Sequence, residues 1–244
     1  MPAAVSAARP KCSSEALASE AREPHAAVAA GAAPPSREVF QEDALPWLRE
    51  RAPLEGCSLV TSLPDVSSFP ELDLDGWQRW FIDAAELVLR AAPEHGVAIF
   101  YQTDIKRDGI WVDKGYLCHR AAERSGSALI WHKIACRKPA GEPSFGRPAY
   151  SHLLCYSRGL RPAGPPAYPD VLGSVGRMTW SQAMGLDACQ LACRYILSHT
   201  ATRTIVDPFC GYGSVLAVAN ALGLAAIGVE RVAKRARKAR SLRL

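Results

Sequence analysis

The stretch from Thr204 to Glu230, TIVDPFCGYGSVLAVANALGLAAIGVE, constrains the fold more than any other part of the chain. Thr204 to Val206 is a short β-branched run and reads as a buried strand. It breaks at Asp207-Pro208, and Gly211 and Gly213 follow. Ser214 to Leu222 is small and apolar at helical spacing, and Ala225 to Val229 is a second apolar run that ends on Glu230. Strand, glycine turn, helix and strand make a βαβ unit, whose crossover is expected to be right-handed. Glycines after a strand let the backbone approach a ligand where a Cβ would clash. An acid at the tip of the next strand suits the two hydroxyls of a ribose. The spacing is Gly-Tyr-Gly with no third glycine, which disfavours a nicotinamide dinucleotide.

The loop as a whole is more specific than its glycines. Asp207-Pro208-Phe209-Cys210-Gly211-Tyr212-Gly213-Ser214 resembles the DPFxGxGS/T loop of S-adenosyl-L-methionine-dependent amino-methyltransferases that act on nucleic acids. In that family the loop holds the methionine part of the cofactor, and the acid after the next strand holds its ribose. The resemblance therefore implies cofactor contacts at Asp207, Pro208, Phe209, Gly211, Gly213 and Glu230.

Upstream, Glu38 to Glu50 reads as a strand followed by a short helix. Asp43 and Ala44 match the family's "GDAL" segment, whose acid lies near the adenine; Asp43 also suits a helix N-cap, and the two roles are compatible. Ser58 to Thr61 is a strand, and Ser62-Leu63-Pro64-Asp65 follows its end, where open α/β sheets place their chemistry. These four residues resemble the family's catalytic (Asp/Asn/Ser)-Pro-Pro-aromatic motif. Ser62 and Pro64 match it; Leu63 replaces the first proline and Asp65 the aromatic.

An exocyclic amine on a base is a poor nucleophile, because its lone pair is delocalised into the ring. The family's motif offers it two acceptors, a side chain and the next backbone carbonyl, and so holds the nitrogen in line with the methyl group. The resemblance gives those tasks to Ser62 and to the carbonyl of Leu63. What is lost is an aromatic face for a flipped base, a stack of about 1–3 kcal/mol. Asp65 can accept from the amine or take its proton, and Phe69 is close in sequence to supply the stack.

The remaining elements follow in order. Residues 73–91 form an amphipathic helix with Trp80, Phe81, Ala84, Leu87 and Val88 on its core stripe. Val97 to Tyr101 is a strand, after which Asp104 is a second candidate acid. Asp104 to Gly115 reads as a polar, basic loop meeting substrate, or as a linker into a helix over 116–124. Residues 128–136 and 151–157 are strands joined by a hairpin loop, and His132 and His152 within them read as satisfied structural histidines. Residues 179–200 read as a helix whose start matches the segment beside the cofactor's methionine moiety, with Thr179, Ser181 and Gln182 as candidates. Val232 to Leu244 is a closing basic helix.

Charge is unevenly spread. Residues 104–161 carry 11 basic and 5 acidic side chains, and residues 231–244 carry 7 basic and none acidic. Two such segments suit a polyanion, and the last also suits a solvated helix end. The eight cysteines contain no CxxC pair and are expected to be reduced, buried thiols, with no metal site. No apolar run reaches membrane length. An intracellular, reducing and so cytoplasmic setting is expected.

These features predict an α/β chain: a Rossmann-like class I methyltransferase domain with a largely parallel seven-strand sheet and helices on both faces. Residues 1–37 are expected to be a disordered Ala/Pro-rich tail. Residues 38–158 form the catalytic half, 159–176 a linker and 177–244 the cofactor half. The resemblance implies S-adenosyl-L-methionine as cofactor and methyl transfer to a base nitrogen. RNA is favoured over DNA, because the linker has no room for a recognition domain. A small-molecule or protein substrate, a non-catalytic subunit, and a protein partner or homodimer stay open.

Overall fold

A computed structural model describes residues 35–162 and 168–244. The expected tail lies outside the described residues up to residue 34, as do residues 163–167 of the expected linker, and Arg37 already belongs to the first strand.

The strands are β1 (Arg37–Phe40), β2 (Cys57–Thr61), β3 (Ala98–Gln102), β4 (Ile105–Arg107), β5 (Ile110–Val112), β6 (Ala128–Cys136), β7 (Tyr150–Ser157), β8 (Val171–Leu172), β9 (Thr204–Asp207) and β10 (Ala225–Val229). The helices are α1 (Ala44–Arg51), α2 (Leu74–Ala91), α3 (Lys114–Ser125), α4 (Leu186–His199), α5 (Ser214–Ala221) and α6 (Ala233–Ser241). The main sheet runs β1-β10-β9-β2-β3-β7-β6-β8. Its first five strands are parallel, and β7 is antiparallel to both β3 and β6. The seven expected strands are all present, and the two-residue β8 is added beside β6.

Strand periodicity explains the two layers. Successive side chains point to opposite faces. Val60, Ile99 and Ile205 join one core with α4, α5 and α6. Their neighbours Leu59, Phe100 and Val206 join the other with α1, α2 and α3. Both faces of the central strands are thus buried, which is why they read as unbroken apolar runs. On α2 the expected stripe needs adjustment: Trp77 is fully buried, whereas Trp80 and Leu87 are half-buried.

Two segments differ from expectation. Residues 104–115 hold the β4–β5 hairpin rather than a loop, turning on Asp108-Gly109, both at positive φ (51° and 78°). Asp-Gly is the preferred pair for such a two-residue turn. The helix expected from Thr179 begins only at Leu186. The backbone before it crosses itself at Gly185, where a Cβ would lie 2.0 Å from the Val175 carbonyl oxygen. Residues 177–185 run as an irregular segment, tied back by the Leu186 N–H to the Arg177 carbonyl at 3.0 Å and the Asp187 N–H to the Val175 carbonyl at 3.1 Å.

Arg37 fastens the first strand to the last helix. Its guanidinium donates to Asn220 Oδ1 at 2.6 Å, to the Leu242 carbonyl at 2.6 Å and to the Ala239 carbonyl at 3.1 Å. The last two are carbonyls at the end of α6, which otherwise lack helical partners. Arg37→Ala is expected to lower the unfolding free energy by about 1–3 kcal/mol, read as a reduced urea midpoint at unchanged slope.

Candidate functional site

Parallel strands end at one edge, and there the chain gathers its polar groups. β2 delivers Ser62 to Asp65, β9 delivers Asp207, β10 delivers Glu230, and β1 leads into Asp43 and Ala44. One cleft is lined by Asp43, Ala44, Ser62, Leu63, Pro64, Asp65, Asp207, Pro208, Phe209, Gly211 and Glu230. Of the residues singled out for the site in the sequence, Gly213 and Thr179 stand behind this lining. Gly213 backs onto Ala239 of α6, and Thr179 Oγ1 lies 2.5 Å from Ser214 Oγ.

Asp207 ties the two halves together. It is 4% exposed, and its Oδ1 accepts from Thr61 Oγ1 at 2.7 Å and from the Phe209 N–H at 3.1 Å. Thr61 is the last residue of β2, so the glycine loop and the Ser62–Asp65 turn are held in register by one carboxylate oxygen. Among the described residues the other oxygen has no partner, and Asp207 lines the cleft. Burial is the main cause that pushes its carboxyl up to about 7; Glu230 adds to this, and the two hydrogen bonds oppose it.

Gly211 adopts φ +54°, and a Cβ there would meet the Trp180 ring at 3.0 Å. Trp180 in turn stacks on Tyr212 (centroids 4.6 Å apart, planes 19°), with the Arg235 guanidinium 5.3 Å from its ring centre. The loop is therefore roofed by an indole that sits tightly over the glycine backbone. Glu230 Oε1 accepts from the Val232 N–H at 2.7 Å, which fixes the carboxylate at the tip of β10. Asp43 caps α1, accepting from the Leu45 N–H at 2.9 Å, and still reaches the cleft.

The Ser62–Asp65 turn has a distinct chemistry. Leu63 buries its side chain at 3% exposure, and the Pro64 carbonyl accepts from Trp77 Nε1 at 3.3 Å. Ser62 Oγ and the Leu63 carbonyl make no such bond among the described residues. Asp65 is ion-paired with Lys114 Nζ, and Arg147 lies 3.8 Å from its Oδ2. The Lys114 side chain is 4% exposed against 26% for Asp65, so a buried cation holds a carboxylate that faces the cleft. Phe69, expected from its position to supply an aromatic surface, packs on Trp80 (centroids 4.3 Å), which meets Phe209 edge-on at 6.2 Å. All three rings line the cleft.

Asp104 does not line the cleft. It is 2% exposed and accepts from His152 Nε2 (3.1 Å), Trp111 Nε1 (3.1 Å) and the Lys114 N–H (2.9 Å). Burial alone would raise its carboxyl, but these bonds hold it below the ordinary carboxylate range. Its task is to seat the start of α3 and so aim Lys114. His132 and His152, read singly as structural, are bonded to each other at 3.0 Å. Asp104, Asp113 and His152 do approach one another closely enough to share a cation, yet Asp104 is already engaged as described. The seven described cysteines are unbridged. Burial pushes the thiols of Cys118, Cys155 and Cys210 up, so none is a ready nucleophile.

Residues that sequence reasoning missed include Lys114, Arg147, Trp180 and Arg231, all in the cleft wall. Trp180 sits inside the segment flagged beside the cofactor, which was the available signal. Lys114 lay within the basic segment 104–115, but its pairing with Asp65 depends on how α3 docks.

Comparison with known structures gives the same architecture. The chain is similar to TTHA0409 of Thermus thermophilus, provisionally named a DNA modification methylase and solved with S-adenosyl-L-methionine. The two are 17% identical at a TM-score of 0.63, over 83% of this chain and 91% of that one. It is similar to PvuII DNA methyltransferase, cytosine-N4-specific: 18% identity, TM-score 0.65, with 85% and 89% covered. It is also similar to M1.HpyAVI, solved as a complex with S-adenosyl-L-methionine: 11% identity, TM-score 0.57, with 83% and 97% covered. The fold expected from the sequence is the fold these proteins share. No protein-family model matches the chain, and no curated protein does. Among the described residues no helix is long and apolar enough to cross a membrane.

Proposed function

We propose that this chain transfers the methyl group of S-adenosyl-L-methionine to an amine nitrogen of a nucleic-acid base. The observation that carries the reading is the Asp207–Thr61 bond, which fixes the glycine loop and the Ser62–Asp65 turn as two walls of one cleft. When bound, S-adenosyl-L-methionine supplies a methyl group activated on a sulfonium. The residues present fit it: Asp207 offers a free oxygen to an ammonium, Gly211 a close backbone approach, Glu230 a carboxylate for ribose hydroxyls and Asp43 an acceptor near the adenine. Ser62 Oγ and the Leu63 carbonyl receive the amine's N–H bonds and aim its lone pair, while Phe69 and Trp80 exclude water and offer the base an aromatic wall.

Nucleic acid fits the rim. The β4–β5 hairpin exposes Ile110 (61%) and Trp111 (44%), with Lys106 Nζ 4.9 Å from the Trp111 ring centre. The loop after β6 exposes Phe145 (90%) and carries Arg137, Lys138 and Arg147; both arginines reach the cleft. Basic groups and aromatic faces side by side suit a single-stranded segment. RNA is the favoured polymer, because fewer than twenty residues separate the two halves, too few for a recognition domain. The names of the similar structures make DNA the polymer to test beside it.

Labelled methyl groups offered to separate RNA, DNA and protein pools are expected to appear in RNA. Labelling should fall steeply as salt rises from about 50 to about 200 mM, and an Arg137→Glu, Lys138→Glu pair should weaken it roughly tenfold or more. Label confined to protein, or label indifferent to both salt and charge reversal, would overturn the nucleic-acid assignment.

A further inference from the structure

This inference rests on the methyl-transfer reading and names the base. Asp65 stands where the resembled motif has an aromatic, and it is an acceptor with an oxygen to spare. Lys114 Nζ takes Oδ1, and Arg147 stands off Oδ2 at 3.8 Å, beyond hydrogen-bond length. A carboxylate offers only acceptor sites. The cleft lining therefore includes acceptors at Ser62 and at the carbonyl of Leu63, and an acceptor at Asp65 Oδ2 with the Arg147 donor beside it.

A carboxylate acceptor and an arginine donor side by side select among bases. Adenine places a ring acceptor, N1, next to its exocyclic amine, and cytosine does the same with N3. Either would set a lone pair against the Asp65 carboxylate. Uracil has no exocyclic amine. Guanine alone reads amine, ring N–H and carbonyl along one edge, which is donor, donor, acceptor. We propose that the site takes guanine, with the 2-amine at Ser62 and Leu63, the N1–H at Asp65 and the O6 carbonyl at Arg147, and that it methylates the 2-amine. The N2–carbon bond forms as the carbon–sulfur bond breaks; the bonding pair stays on sulfur, and the amine's surplus proton leaves to solvent.

The aromatic cluster is consistent with this division of labour. Phe69 and Trp80 supply the stacking wall from α2 and the preceding turn, so the residue after Pro64 is released to read an edge. Lys114 acts as a positioning residue: its own backbone N–H is held by Asp104, and its Nζ fixes the rotamer of Asp65. A polar group built to meet a substrate N–H discriminates strongly against analogues lacking it, because the group is then left unpaired.

The test is to digest methylated RNA to nucleosides and ask which one carries the label. A parallel arm uses RNA with 2-aminopurine in place of the target guanine, which keeps the 2-amine, turns N1 into an acceptor and lacks O6, and so removes the Asp65 and Arg147 contacts together. The label is expected in N2-methylguanosine, with the 2-aminopurine substrate at least about 10²-fold slower. In Asp65→Asn, transfer to guanine should fall about 10²-fold, and the preference over 2-aminopurine should narrow, since the amide can donate to N1 while the O6 contact of Arg147 is still lost. The same variant should lose affinity for guanine-containing oligonucleotides in a binding assay without cofactor. Label in N6-methyladenosine or N4-methylcytidine would overturn the base assignment while leaving methyl transfer intact. An unchanged guanine preference in Asp65→Asn would overturn the role of Asp65. Label in no nucleoside would overturn the methyl-transfer reading, and this inference with it.

Discussion

Replacing Asp207 with Ala will weaken S-adenosyl-L-methionine binding by about 10²-fold or more, measured by calorimetric titration. The free oxygen of a buried carboxylate is the group best suited to the cofactor's ammonium, and truncating it leaves that cation without a partner. The pH dependence has a definite sign. Burial lifts the Asp207 carboxyl to about 7 in the folded chain, against an ordinary value near about 4 in the unfolded one. Between those values the folded state holds a proton that the unfolded state has lost. Stability of the free protein therefore falls as pH rises through that window and levels off above about 7. Cofactor affinity moves the opposite way. Below about 7 the ammonium must displace the proton, so affinity gains up to about tenfold per pH unit and then flattens. Asp207→Asn keeps an acceptor for Thr61 and Phe209, so it should remain folded, bind weakly and lose this pH dependence.

Gly213→Val will be more damaging to the fold than any change at a cleft-facing residue. Gly213 sits at φ +83°, and a Cβ there would lie 3.0 Å from both the Cα and the Cβ of Ala239. The obstacle is helix backbone rather than the end of a mobile side chain. A branched residue must therefore adopt a left-handed backbone and also push α6 off the sheet. A loss of about 3 kcal/mol or more is expected, seen as a lowered thermal midpoint and failure to bind cofactor. Gly211→Ala is the informative contrast. Its obstacle is the Trp180 ring, which can swing aside, so stability should fall less while cofactor affinity still drops.

The two cases show what a sequence can convey. The glycine loop was legible because its constraint is local: a strand, a turn needing positive φ, and a helix follow one another within a few residues. The strand ends were legible too, and with them the meeting of Ser62, Asp207 and Glu230 at one edge, because parallel strands leave no other arrangement. Asp65 was noticed, but its partner was not. Lys114 reaches it only after α3 docks and Asp104 seats the helix start, a chain of long-range contacts with no pattern in spacing. The hairpin at 105–112 carried its own signal in Asp108-Gly109, and reading the segment as charge rather than as a turn concealed it. The irregular run before Leu186 was hidden for a physical reason, since the close approach at Gly185 is between two backbone segments brought together by the fold.

The pairing of β1 with β10 has a consequence for synthesis. Arg37 aligns with Ala226, and the same arginine closes the end of α6. A ribosome therefore makes Asp43 and Ala44 well before Ala225–Val229, and their wall of the cleft has no strand to lean on until β10 has emerged. Loop closure over such a span is slow. During translation β2, β3 and α2 can assemble first, leaving the edge later taken by β9 open and in need of shielding. Cofactor binding should then arrive abruptly with α6, and chains truncated before residue 233 should accumulate as chaperone clients rather than as partly binding-competent protein.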